Sequence, residues 1–236
     1  MEIRGFQKFS LLDYPGKIAA IIFTPGCTLR CPFCYNPELV NNDLALPRYA
    51  PEKILDFLKE RKGKLEGLVI TGGEPTMQND LPDFLSCVKK LGYFVKLDTN
   101  GSYPAMLALL VKKRLVDYAA MDIKTAWENY PRLAPNVEIA KIKRSADFLK
   151  TVGTEHCSVF TYEFRTTVAP DFVDARIMEK IGKVICGAPL YALQQYRPQK
   201  TLQKNSGRKV YPEKVLLNLK KIAEKYAKKV EIRGLQ

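Results

Sequence analysis

Short apolar runs alternate with helical patterns along most of this chain, and that spacing restricts how its strands can be joined. Runs rich in β-branched and aromatic residues at 18–24 (IAAIIFT), 67–71, 93–99, 117–123, 158–168 and 189–196 read as strands. Between them, 51–63, 81–92, 103–114 and 140–153 carry apolar residues at helical spacing. Pro51 stands where a helix can begin, and Gly63, Gly92 and Gly153 stand where helices tend to end. Strands separated by helices of this length predict βαβ units and a mainly parallel sheet. Six such strands give an open barrel or a doubly wound sheet, and either places ligands at the C-terminal ends of the strands.

The flanks are less regular. Tyr14, Pro15 and Gly16 form a turn signal, so residues 1–20 read as a hairpin-like lead-in. After the last core strand, 197–212 is a polar stretch with Gly and Pro that reads as a loop. A helix is expected over 218–230, where Leu219, Ile222, Ala223 and Tyr226 recur at helical spacing and lysines fill the other face. The chain closes on VEIRGLQ, close to its opening MEIRGFQ, which is either coincidence or a pair of similar edge segments. The reading is one domain over 1–236: lead-in 1–20, core 21–196, then 197–236 with a loop, a C-terminal helix and a final strand.

No window approaches the roughly 18 consecutive apolar residues of a membrane span, and the N-terminus lacks the layout of a secretory signal. The expected compartment is the cytoplasm, with no membrane partner. The formal net charge is +13. Clustered into one patch it would point to nucleic acid. Much of it lies instead on amphipathic helical segments, where a charge run reads as a solvated face, so nucleic acid is not the expected partner.

That compartment matters for Cys27, Cys31 and Cys34, which follow the first core strand as C-x-x-x-C-x-x-C. In a reducing cytosol, a close cysteine cluster points to metal binding or catalysis. Structural zinc wants four protein ligands, and here no fourth Cys or His lies nearby; the single histidine is His156. Three thiolates suit a 4Fe–4S cluster with one iron left open to an exchangeable ligand. Gly26 lets the backbone turn off the strand, and Phe33 sets an aromatic face between the second and third thiols, either for a ligand or for loop packing. Cys87, Cys157 and Cys186 are scattered, and Cys87 and Cys186 have apolar neighbours; all three are expected as small buried structural residues.

The next strand ends in Gly72-Gly73-Glu74-Pro75. Paired glycines let the backbone present donors and acceptors at close range, and a carboxylate among them suits a cationic amino group. The triplet, with an aromatic residue before its third Cys and Gly-Gly-Glu-Pro on the following strand, resembles the radical S-adenosylmethionine (SAM) superfamily. KLDTNG (96–101) and DYAAMDIK (117–124) resemble the activating enzymes of glycyl radical enzymes. The lead-in GFQKFSLLDYPGKIAAIIFTPGC is similar to the anaerobic ribonucleoside-triphosphate reductase activating proteins.

The resemblance implies an α/β partial (β/α)6 barrel of the radical SAM type. It implies one 4Fe–4S cluster on Cys27, Cys31 and Cys34, with SAM on the open iron. Phe33 would lie near the adenine, and Gly72, Gly73 and Glu74 would hold the amino group. Asp98, Thr99 and Asn100 would border the cofactor or the incoming peptide. Asp122 and Lys124 match an Asp-x-Lys, Lys124 pairing with a carboxylate or a peptide carbonyl; the plainer reading of the two is a surface ion pair. Arg165 and Thr167 could face the ribose. Asp98 and Lys124 are the implied catalytic pair.

The implied partners are a glycyl radical enzyme, presenting its C-terminal glycine loop, and a low-potential electron donor such as flavodoxin or ferredoxin. Two departures argue against a formate lyase as substrate. Tyr35 stands where activases commonly carry His, and Gln195-Tyr196-Arg197 replaces a Pro-Tyr-His pattern. Other readings are a radical SAM enzyme acting on a small molecule or an RNA base, and a non-enzymatic iron–sulfur or zinc protein.

Overall fold

A computed structural model describes residues 1–155, 160–198, 201–203 and 209–235. Eight strands form one sheet in chain order: β1 (Gly5–Ser10), β2 (Ala19–Thr24), β3 (Gly67–Gly72), β4 (Phe94–Thr99), β5 (Tyr118–Asp122), β6 (Thr161–Val168), β7 (Tyr191–Gln195) and β8 (Val230–Arg233). β1 runs antiparallel to β2, and every later neighbour pair is parallel. The helices are α1 (Pro37–Val40), α2 (Pro51–Glu60), α3 (Leu81–Lys90), α4 (Pro104–Lys112), α5 (Ile139–Glu155), α6 (Ala175–Ile185) and α7 (Glu213–Ala223). Consecutive parallel strands in chain order give the partial barrel, and β1 and β8 are its two edges.

Alternation along each strand sorts its residues between two faces. Ile22, Ile70, Leu97, Met121, Phe164 and Leu193 join the large core that also takes Leu58, Leu85, Leu110, Leu149 and Ile181 from the helices. The opposite face has only a small apolar plug, Tyr14, Ala19, Ile21, Val69, Tyr118 and Ala120. Further positions of that inner face are charged: Lys96, Asp98, Asp122, Glu163, Arg165 and Arg233. A closed barrel would fill its interior with apolar layers; this one lines it with ions.

The six core strands and four helices expected from periodicity are present with small shifts at their ends. Three expectations are corrected. Periodicity assigns no element to 169–188, yet the region holds α6, capped by Asp174, whose carboxylate accepts from Ile177 N at 2.7 Å, and buried through Met178, Ile181 and Ile185. The C-terminal helix spans Glu213–Ala223 rather than 218–230. The chain then turns back, held by Gly187 N to Tyr226 O and Lys228 N to Ala188 O, both 2.9 Å. Cys87 and Cys186 are exposed rather than buried, and Cys157 and His156 lie outside the described residues. The two similar terminal segments do occupy opposite edges of the sheet, at β1 and β8.

β8 is fastened from inside. Arg233 donates to both oxygens of Glu163, at 2.9 and 2.7 Å, and Tyr118 Oη donates to the same carboxylate at 2.9 Å. Glu163 is completely buried, so removing its cation strands a charge. Arg233→Ala is expected to cost about 2–4 kcal/mol, measured as a lowered urea midpoint with unchanged slope.

Candidate functional site

The two motif loops of the site lie where parallel strands β2 and β3 end. After Thr24 the chain turns through Gly26, at φ +80°, into the cysteine loop. That loop is fixed by Gly26 N to Leu39 O and Arg30 N to Leu133 O, both 2.8 Å, and by Cys34 N to Cys31 O at 2.9 Å. Cys31 is buried, while Cys27 and Cys34 are partly accessible. Burial pushes the thiols of Cys27 and Cys31 up to about 11 and about 12. They are therefore neutral until a metal displaces their protons. Phe33 packs edge-on against Phe172, with centroids 5.1 Å apart, and also lines the cavity beside the cysteines.

The Gly72-Gly73 pair is needed for contact between backbones. Gly72 sits at φ +118°, and a Cβ there would lie 2.4 Å from Thr24 O. A Cβ on Gly73 would lie 1.8 Å from Gly26 O. At that range Gly73 N donates to Thr24 O at 2.8 Å and Glu74 N to Gly26 O at 2.7 Å. The end of β3 is thus bonded directly to the root of the cysteine loop.

Glu74 takes a different place from the one its motif suggests. Gly72 and Gly73 line the cavity and Glu74 does not. Its carboxylate is fully buried and accepts from Thr76 N at 3.1 Å, Thr99 Oγ1 at 2.7 Å and Asn100 N at 2.6 Å, and from the Thr76 hydroxyl. Burial raises its proton affinity, and these donors oppose the rise. The residue clamps the end of β3 to the end of β4. Asn100, held by that clamp, extends its amide to Cys27 Sγ at 3.5 Å and to Thr28 Oγ1 at 3.2 Å.

Across the inner face runs a ladder of alternating charge. Lys96 pairs with Asp98. Arg165 reaches Asp98 at 3.2 Å and Asp122 at 3.1 Å, and Lys124 meets Asp122 at 3.0 Å. Asp122 and Lys124 are 17% and 18% exposed, so their contact is an interior pair rather than a surface one. Burial alone would raise the Asp122 carboxyl, but Arg165 and Lys124 outweigh it and hold it down at about 2. Asp98 is likewise lowered against its burial, by Arg165 and Lys96.

The three cysteines, Phe33, Gly72, Gly73, Asp98, Thr99, Asn100, Asp122, Lys124, Arg165 and Thr167 all line one cavity of about 460 Å³. Of the candidates named from sequence, only Glu74 stands outside it. The far wall was not anticipated: Asp13 before β2, Arg197 after β7 and Arg233 on β8 bring the cavity to both edges of the sheet. Nor was a strap over the cysteine loop, where Leu202 N donates to Cys34 O and Gln203 N to Pro32 O, both at 3.0 Å. The available signals were charges at inward positions of strands, Lys96, Glu163 and Arg233. The strap has no local signal.

The sequence profile described as Radical SAM superfamily matches residues 21–166. A protein of Methanocaldococcus jannaschii, provisionally named a glycyl-radical enzyme activating enzyme, is 32% identical over 99% of this chain and 96% of its own. The pyruvate formate-lyase-activating enzyme of Clostridium pasteurianum is 27% identical, over 98% of this chain and 95% of its own. Among solved structures, Streptococcus suis SuiB bound to its precursor peptide SuiA superposes with a TM-score of 0.70. It shares 15% identity and covers 92% of this chain and 48% of its own, a likeness of fold.

Two variants test the geometry. Gly73→Ala forces its Cβ into Gly26 O and is expected to cost about 3 kcal/mol or more, with lost iron incorporation after anaerobic reconstitution. For Asp122, the depressed carboxyl binds its proton less readily folded than unfolded. Its stabilisation is therefore present above the unfolded value of 3.8 and disappears as pH falls through about 2. The stability gap between wild type and Asp122→Asn should be constant above about pH 5 and close toward pH 2 in urea titrations.

Proposed function

The chain belongs to the radical SAM superfamily, and from that premise we propose that it activates a glycyl radical enzyme, with an anaerobic ribonucleoside-triphosphate reductase as its protein substrate. Membership implies a 4Fe–4S cluster and SAM, and the residues fit both. Among the described residues, no three His, Cys, Asp or Glu side chains close around a single metal ion. Cys27, Cys31 and Cys34 all line one wide cavity, and a cubane takes one thiolate per iron. Among the described lining residues no further cysteine or histidine accompanies these three, so one iron of a cubane would remain for SAM.

In this reading the three cysteines hold the cluster, and the backbone of Gly72 and Gly73 meets the amino group of SAM. Phe33 flanks the adenine, Thr99 and Asn100 border the cofactor, and Lys124 offers its cation to the carboxylate. Arg165 and Thr167 face the ribose side. When bound and reduced, the cluster would supply one electron for the reductive cleavage of SAM, the chemistry from which hydrogen-atom abstraction at a substrate glycine would follow. The chain's own work is positioning: Glu74 fixes Asn100 and Thr99, and Asp98 and Asp122 fix Arg165 and Lys124.

The observation that carries the reading is that both motif loops and the ladder face one cavity reaching the two edges of the sheet, room suited to a protein loop. The choice of reductase rests on the lead-in, whose Asp13 lines that cavity, and on Tyr35 and Gln195-Tyr196-Arg197 departing from the formate-lyase pattern.

The test is anaerobic. Reconstituted protein with dithionite and SAM should form 5′-deoxyadenosine and, with an anaerobic reductase present, a glycyl-radical EPR doublet; Cys31→Ala should give neither. A doublet on a formate lyase but not on the reductase would overturn the substrate assignment. Absence of a doublet on either, with deoxyadenosine still formed, would overturn the activase reading.

A further inference from the structure

If a protein loop fills the cavity, the reductant must reach the cysteines from another side. One such approach is built into the fold. Between α4 and α5 lies a groove of about 460 Å³ lined by Ser102, Tyr103, Ala108, Lys141, Arg144 and Phe148, among others, and among its described lining residues the charged ones, Lys141 and Arg144, are both cationic. Its floor is joined to the cysteine loop by short contacts. Ser102 N donates to Asn100 Oδ1 at 2.9 Å, and Asn100 Nδ2 donates to Cys27 Sγ at 3.5 Å. Thr28, next to Cys27, donates to Ser102 Oγ at 2.9 Å. From the other wall, Ser145 of α5 donates to Gly101 O at 2.6 Å, and Gly101 sits at φ +77°, a backbone conformation that favours glycine. Helix, loop and cysteine are thus linked through hydrogen bonds.

The charge of this face is consistent. Of the cations on α5, Lys141 and Arg144 line this groove, whereas Lys143 and Lys150 line the groove on the helix's other flank with Asp147. Lys141 pairs with the exposed Glu138 at 2.5 Å, a solvent pair of the weak kind that a partner's carboxylates could replace. The groove on the other flank of α5 has more lysines but mixes signs. There Glu128 pairs with Lys180, and Asp147 with Lys150.

We propose that the α4–α5 groove is the docking surface for an acidic one-electron carrier protein, which delivers its electron to the cluster through the Ser102–Asn100–Cys27 contact. The proposal rests on the activase reading. The transfer is balanced by the carrier alone, which loses one electron as the cluster gains one. Electrostatic complementarity steers such an encounter and makes it salt-sensitive.

The probe is an FMN flavodoxin, an acidic carrier. Its affinity for the reconstituted holoenzyme is read by calorimetry, and cluster reduction by its reduced form is read as bleaching in a stopped-flow spectrometer. Lys141→Glu with Arg144→Glu should weaken binding and slow bleaching by about tenfold or more, while bleaching by dithionite is unchanged. Charge reversal at Lys220 and Lys221 on α7 should leave both readings alone. If the Glu pair impairs cluster loading, Lys141→Gln with Arg144→Gln serves instead, with a smaller loss in the same direction.

Unchanged flavodoxin binding in the groove variants would overturn the proposal. So would an equal loss from the α7 pair, or displacement of flavodoxin by the partner reductase. Failure of dithionite to generate a glycyl radical with wild-type protein would count against the activase reading alone, because carrier binding is measured independently of turnover.

Discussion

The buried carboxylate of Glu74 holds the working end of this sheet together. It sits at the junction of β3 and β4, with no exposure to solvent and donors from Thr76, Thr99 and Asn100. A carboxylate in such a place is costly unless fully bonded, and full bonding requires that both strand ends be in register. Its own N–H reaches Gly26 O, so the same residue also anchors the cysteine loop. Asn100 then touches Cys27 because Glu74 holds its backbone.

The charge ladder follows a similar logic on a larger scale. Lys96, Asp98, Arg165, Asp122 and Lys124 come from β4, β5, β6 and the turn after β5, and each ion contacts one of opposite sign. Such a ladder is not a cheap source of stability, since desolvation offsets much of the attraction. What it supplies is orientation: Arg165 bridges two carboxylates, so neither acid nor base can swing freely in the cavity. Glu163 and Arg233 repeat the device between β6 and β8, across β7, and close the far wall.

Periodicity made the outer half of the fold legible. Alternate strand positions such as Ile22, Ile70 and Leu97 are apolar because helices cover them, and the helices carry matching stripes. The inner half is harder to read, because its residues answer to one another across strands rather than to a local pattern. Lys96 and Glu163 look like ordinary exposed positions of amphipathic strands, yet they are 2% and 0% exposed. The cysteine triplet and the glycine pair were legible because few other arrangements explain three thiols or two glycines at a strand end. The motif announced Glu74 but not the direction of its side chain, which depends on where Thr99 and Asn100 fall. The polar stretch after β7 read as a plain loop, and its backbone bonds to Pro32 and Cys34 span more than 160 residues.

That loop also joins two features that looked independent. Tyr35 follows the third cysteine where activases commonly carry His, and Tyr196 lies in the segment that departs from the second His of the formate-lyase pattern. In the fold these residues meet: their rings stack at 6.4 Å, and Tyr35 Oη accepts from Arg197 N at 2.8 Å. The two departures are therefore one contact, fastening the end of β7 to the cysteine loop. The change of chemistry has a direction. A histidine pair would titrate near neutral pH, whereas burial lifts the Tyr35 phenol above its ordinary value despite the donor at Arg197. The Tyr35 hydroxyl beside Cys34 is thus neutral across the physiological range, and Lys124, which lines the same cavity, is held in its charged form by Asp122. The tyrosine pair therefore replaces a pH-sensitive contact with one that stays neutral on its Tyr35 side.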